Sequence, residues 1–383
     1  MKTLVGRDAL RRMVLVLCGL PALPLAQGAA PMTVRMTAEQ WQAKENAEFL
    51  RQQGFLYGLM RLNSGSAELK GVTFGDGTIE FDVNTIGRGA PGIAFRQQDE
   101  GNFELLYLRP DPACPAFRAC VQYTPQTHGV LLWDLFPQYQ ARAPLREIGW
   151  NHIKMVVSGR RMKVFVNDAP WPTLEVGSLE GDAMKGGLRL QGPGTFANMV
   201  ITPDAVDGLS TEAAKDPTDG DGGLVRNWQL SAVAPLASGK DPMYSEMPGA
   251  SQEWKTIRTE RGGLANLSRV YGLPVREPNR GVAWLKTTIT SDRKQAKKVE
   301  IGWTRELWVF VNGKLVFADK NLYDLEASRK FPDGRCSLEN GAFTLPLDEG
   351  NNEVAVAVAN NFYGWGLMVR LDDPDGVHLR LVP

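Results

Sequence analysis

Across 383 residues, 43 Lys and Arg balance 43 Asp and Glu, leaving a formal charge of zero. That balance excludes the basic footprint by which proteins hold nucleic acid or anionic lipid surfaces. With 40 Gly, 24 Pro and 10 Trp, the chain is rich in turn formers and aromatics, and it is long enough for two hydrophobic cores.

Residues 1–28 read as an export signal. Lys2, Arg7, Arg11 and Arg12 precede an apolar run that begins at Met13, continues to Ala26 and is interrupted by Pro21 and Pro24. Ala26 and Gly28 supply the small residues expected before a cleavage point. The run is too short and too broken to span a bilayer. The mature chain is therefore expected to be exported, periplasmic or extracellular, and not membrane-spanning. In such a compartment Cys114 and Cys120, which flank a Pro-containing loop, would close a small disulfide ring, leaving Cys336 over. His128, His152 and His378 are scattered and no Cys-x-x-Cys pair exists, so neither a metal nor a cofactor is expected.

After the signal, Thr37-Ala-Glu-Gln40 has the form of a capping box and predicts a short helix carrying Trp41. From there the pattern turns to strands, at 55–62 and 67–74, and then as three runs within 75–110 separated by Gly, Pro, Asp and Asn. In 78–84, Ile79, Phe81 and Val83 face one way and Glu80, Asp82 and Asn84 the other. Residues 121–139 give two more strands, and 150–168 a hairpin pair with turns at Ser158-Gly159 and Asn167-Asp168. Residues 204–224, rich in Asp, Gly, Ala, Thr and Pro, read as a solvated linker; Asp219-Gly-Asp-Gly-Gly223 lacks the ligands of a calcium loop. Beyond it, strands are predicted from 282 to 382, with the strongest hairpin signal at Asn312-Gly313. The expected fold is all-β, two antiparallel β-sandwich (jelly-roll) domains in tandem, spanning 33–203 and 225–383.

Asp76-Gly-Thr-Ile-Glu-Phe-Asp82, Gly92-Ile-Ala-Phe-Arg96, Leu106-Tyr-Leu-Arg-Pro110 and Trp150-Asn-His-Ile-Lys154 resemble the concanavalin A-like lectin/glucanase superfamily. Within it, the resemblance is to the laminin-G-like and 3-keto-disaccharide hydrolase types of secreted bacterial proteins. Similarly, Val309-Phe-Val-Asn-Gly-Lys-Leu-Val316, the run from Gly350 to Asn360 and Gly364-Trp-Gly-Leu367 resemble galactose-binding-like jelly rolls. These resemblances imply a partner that is a glycan or polysaccharide.

Two kinds of site follow. Glucanases of this fold carry two glutamates, as nucleophile and acid, on one strand about an aspartate. Here Glu80 and Asp82 are present, but Asn84 or Thr85 stands where the acid is needed, and neither can donate that proton near neutral pH. A hydrolase acting on keto-disaccharides or glucans is thus the alternative, with Glu80 and Asp82 as its candidates and no complete catalytic pair. The favoured site is a sugar-binding face, because sugars are held by planar hydrogen-bonding groups and aromatic rings. Arg96, Tyr107, Arg109, Gln122, Tyr123 and Trp133 would converge on one open sheet, and Tyr363 and Trp365, after the Asn360-Asn361 turn, would form an exposed pair. The bland counterpart is that Tyr107 and Trp133 are core residues, Arg109 an ion-pair partner of Glu104 or Asp111, and His152 a hydrogen-bonded strand residue. A structural or adhesion module with a protein partner is the third reading. The sugar-binding reading requires the Tyr107 face to be open.

Overall fold

The Thr78–Thr85 alternation does what its period demands. In the strand Gly77–Thr85, Ile79, Phe81 and Val83 are buried, while Glu80, Asp82 and Asn84 are half-exposed on the opposite face. This computed structural model describes residues 30–44, 47–87, 89–114, 116–276 and 278–379. The export signal expected at 1–28 lies outside the described residues, as does the end of the last predicted strand.

Gly77–Thr85 is central in a first layer, paired antiparallel with Trp150–Ser158 on one side and Gly194–Pro203 on the other. The second layer runs Val130–Leu131, Val121–Thr127, Phe103–Leu108, Gly92–Gln97, Gly187–Gln191, Ser66–Leu69 and Trp41–Ala43. One apolar cluster joins the layers, with Ile79, Phe81 and Ile153 from the first meeting Phe95, Leu106 and Leu190 from the second. Burying each such side chain stabilises the fold by about 1.5–3 kcal/mol. The helix predicted at Thr37 is not formed. Residues 37–40 make one turn, closed by Gln40 N–H and Trp41 N–H donating to the Thr37 carbonyl, and the chain leaves it as the strand Trp41–Ala43. Sheet pairing to Ser66–Leu69 overrides the local capping signal.

The second half is also a sandwich. A larger sheet is built on Arg280–Ser291, Gly350–Asn360 and Arg305–Val311, and a four-stranded one on Ala265–Asn266, Gly366–Leu371, Gln295–Trp303 and Gly341–Leu347. Trp228, Leu285, Val309, Val356, Trp303 and Leu367 pack between them. The hairpin at Asn312-Gly313 has φ of 47° and 81°, the pair of left-handed residues that matches strand twist. Leu267–Tyr271 forms a short helix that the sequence pattern did not show. The protein is therefore all-β in its body, with antiparallel pairing throughout the described strands.

Residues 204–224 are not a free linker. The Ala205 carbonyl accepts from Thr78 Oγ1, Asp207 pairs with Lys154, the Leu209 carbonyl accepts from Ser158 Oγ, and Asp221 pairs with Arg370 at 2.8 Å. The segment is strapped to both halves along its length, because its carbonyls and carboxylates find donors at strand ends.

Candidate functional site

The face expected to be open is covered. Phe103, Leu105 and Tyr107 alternate outward from the second layer as the sequence suggests, yet all three are buried with Ala94. Tyr107 Oη donates to Gln122 Oε1 at 2.7 Å, Arg109 Nη2 donates to Tyr107 Oη at 3.0 Å, and Gln122 Nε2 donates to the Trp133 carbonyl. Burial pushes the Tyr107 phenol up to about 12. Arg189 of the same sandwich lies over Phe103, while the Trp133 end of this face meets the other sandwich. Trp133 meets Tyr323 and Tyr363 edge-on at 4.8 and 5.5 Å, and the Arg109 and Arg335 guanidiniums lie 5.7 and 5.1 Å from its ring. Tyr107, Gln122 and Trp133 are thus seam residues, and Arg109 is a cation–π partner, not an ion pair of Glu104 or Asp111.

Two further candidates turn the other way. Tyr123 lies on the inner face, donating to Glu104 Oε2 at 2.5 Å and accepting from Glu180 N–H. Trp365 is 1 % exposed, sits in the second core and donates its backbone N–H to Ser268 Oγ, so it is no surface pair for Tyr363. Arg96 leaves the Tyr107 row because its own φ is 51°; its side chain is wholly buried and pairs with Asp76 at 2.8 Å. Cys114 and Cys120 are joined by a disulfide, and Cys336 is a buried free thiol.

Two carboxyls lie in that seam region. Asp134 Oδ1 accepts from Gly364 N–H at 2.9 Å, and the Asp134 carbonyl accepts from Cys336 N–H at 2.7 Å. A Cβ on Gly364 would fall 2.3 Å from Asp134 Oδ1, so only glycine fits there. Burial pushes the Asp134 carboxyl up to about 7, against which the Gly364 N–H works. Burial likewise raises Glu180 to about 7; Tyr139 Oη donates to it at 2.6 Å, and Arg269 from the second sandwich binds its carbonyl.

Glu80 and Asp82 share the outer face of the first layer with His152. Asp82 Oδ1 is 2.7 Å from His152 Nδ1, Asp82 Oδ2 accepts from Asn198 at 2.7 Å, and Glu80 lies 3.9 Å from His152 Nε2. Burial alone would raise Asp82, but the hydrogen bonds from His152 and Asn198 hold it below the usual carboxylate range. The bond to Asp82 raises His152. A carboxylate held ionised cannot be the general acid, and the imidazole stands between the two acidic groups. Among the described residues no three His, Cys, Asp or Glu side chains are grouped to hold a metal.

One cleft, of about 360 Å³, opens between the sandwiches. Its walls are the hairpin end Gln126 to Leu131, the segment bearing Leu273 and Arg276 after the short helix, and the turn Asn361, Phe362 and Tyr363. Asn360 builds that turn: its Oδ1 accepts from Asn361 and Phe362 N–H, while its Nδ2 donates to the Tyr363 and Gly364 carbonyls. Tyr363 sits at φ 50°, a left-handed conformation uncommon for an aromatic residue, and its ring is pinned edge-on by Trp133 and by Phe362 at 4.6 Å. It is 37 % exposed. Of the residues named from sequence, Tyr363 alone reaches this cleft; Gln126, Asn361 and Arg276 were missed. The Asn-Asn turn was a visible signal for Asn361, whereas nothing local marks Gln126 or Arg276.

No family model matches the chain, and no curated protein does. Solved structures with similarity include the carbohydrate binding module CBM66 from Bacillus subtilis, at 17 % identity and TM-score 0.31, over 46 % of this chain and 98 % of that one. A putative glycosyl hydrolase from Parabacteroides distasonis is 13 % identical at TM-score 0.29, over 43 % and 89 % of the two chains. A Bacillus licheniformis beta-glucanase is 12 % identical at TM-score 0.31, over 46 % and 99 %.

Proposed function

We propose that this is an exported carbohydrate-binding protein that holds a glycan in the cleft between its two sandwiches. The observation that carries the reading is Tyr363: an aromatic ring fixed in a strained turn, left partly bare, and lining one cleft with Gln126, Asn361 and Arg276. A ring face takes up the C–H surface of a sugar, and amide and guanidinium groups take its hydroxyls. The cleft volume falls in the range of small-ligand sites, which favour junctions between folded units. Export is supported by the sequence of residues 1–28 and by the Cys114–Cys120 bond, which needs an oxidising compartment.

The test is a glycan array followed by calorimetry on the mature protein and on Tyr363→Ala. The expected result is a bound glycan whose affinity falls about tenfold or more in the variant, roughly 1.4 kcal/mol for each factor of ten. No signal above a heat-denatured control, or an affinity that ignores Tyr363→Ala, refutes the site. Turnover of a keto-disaccharide or glucan that disappears with Glu80→Gln and Asp82→Asn would instead establish the hydrolase reading.

A further inference from the structure

A second recess, of about 380 Å³, opens at one end of the first sandwich, under the hairpin joining Gly92–Gln97 to Phe103–Leu108. Gln126 lines both this recess and the cleft that holds Tyr363. The recess has an unmet hydrogen-bonding demand. Arg96 lines it and is wholly buried; its Nε donates to the Gly75 carbonyl and its Nη2 to Asp76, but Nη1 has no partner. A buried donor left unpaired costs about 1–3 kcal/mol, which a ligand acceptor would relieve.

The surrounding groups say what kind of acceptor fits. Glu104 lines the recess too, raised toward its neutral form by burial; Asp99 and Asp182, the latter paired with Arg269, are the carboxylates that would meet a carboxylate or phosphate on the ligand with like charge. Glu104 is already engaged, accepting from Tyr123 Oη and Gly181 N–H, and Asp99 is bound by Gly101 N–H and Asn102. Gln98 and Gln126 spend their amide nitrogens on the carbonyls of Arg96, Lys185 and Glu100, which leaves their Oε1 atoms as acceptors. A hydroxyl both accepts, from Arg96, and donates, to a glutamine Oε1. Phe103 adds an apolar wall for C–H groups.

Resting on the cleft reading above, we propose that this recess is a second sugar subsite, and that the ligand is an uncharged oligosaccharide whose rings run from Tyr363 past Gln126 to Arg96. A single ring fills one recess and leaves the other empty. Affinity therefore rises with chain length until both are occupied.

The experiment measures binding of gluco-, manno- and galacto-oligosaccharides of one to six rings, with galacturonate oligomers of the same lengths as a charged control. Wild type is compared with Ala183→Trp, which fills the recess from its half-buried rim, with Gln98→Ala on its exposed side, and with Tyr363→Ala. The expected result is a rise of at least tenfold between one ring and the first bridging length in a neutral series, and no such rise with galacturonate. Ala183→Trp abolishes the rise and spares the single-ring affinity, Gln98→Ala reduces the rise, and Tyr363→Ala weakens every length. If Ala183→Trp melts early, Gln98→Ala alone decides. An affinity independent of length, or a rise that survives the recess variants, overturns the subsite and leaves the cleft standing. A rise in the galacturonate series overturns the uncharged assignment. Indifference of all lengths to Tyr363→Ala sinks the cleft reading itself, as does no binding by any series, which takes the subsite with it.

Discussion

Replacing Asp134 by Asn tests whether the seam between the sandwiches is closed around a protonated carboxyl. Asp134 is fully buried, its carboxyl raised from 3.8 to about 7 by loss of solvent, while Gly364 N–H donates to Oδ1. In the unfolded chain the group titrates near its ordinary value, so between those limits the folded protein holds a proton that the unfolded chain has released. Stability from this group is full below about pH 4 and is lost as pH rises through 7. The slope is about 1.4 kcal/mol per pH unit inside the window, and from pH 5 to pH 8 the loss integrates to roughly 2–3 kcal/mol. Asn keeps an oxygen for Gly364 and carries no charge at either pH. Urea denaturation of both proteins at pH 5, 6, 7 and 8 reads the difference. Wild type should lose stability more steeply than Asp134→Asn, by up to that amount across the range, while the similar slope from Glu180 remains in both. Parallel curves for the two proteins would refute a protonated Asp134.

The bond from Asp82 should raise the His152 midpoint above the ordinary 6.5, and Asp82→Asn should return it toward that value; an imidazole NMR titration checks both. By linkage, the stabilisation from charged His152 is present below its unfolded midpoint and fades as pH rises past its folded one, while that from Asp82 fades as pH falls below 3.8. A Cys114→Ser, Cys120→Ser double variant releases a ring with a sequence separation of 6, which should cost about 2 kcal/mol in chemical denaturation. Both sulfurs are buried, so wild type should take up iodoacetamide at these positions only after reduction and unfolding.

The period-two strands were readable because alternation is a local property: residues 78–84 and 150–158 declare their faces without reference to the rest of the chain. Turn chemistry at Asn167-Asp168 and Asn312-Gly313 was equally local, and φ values of 53°, 54°, 47° and 81° confirm it. What alternation cannot express is what lies over a face. Tyr107 and Trp133 were expected on an open sheet, but both are buried, and Tyr323 and Arg335, some two hundred residues later, pack on Trp133. Arg96 was misplaced because one left-handed residue flips a side chain out of register, and Arg carries no turn signal. Trp365 was misjudged because aromatic content near a turn does not distinguish a ring that packs down from one that stands free. Tyr363, two positions earlier, is the ring left partly exposed.

The bond between Gly364 and Asp134 spans 230 positions of sequence. A ribosome therefore delivers the whole first half, with Trp133 and Tyr107 bare, long before the turn that caps them exists. Finishing this molecule is a late docking event, and a fragment ending near residue 203 would carry a sticky aromatic wound where the intact chain carries a seam.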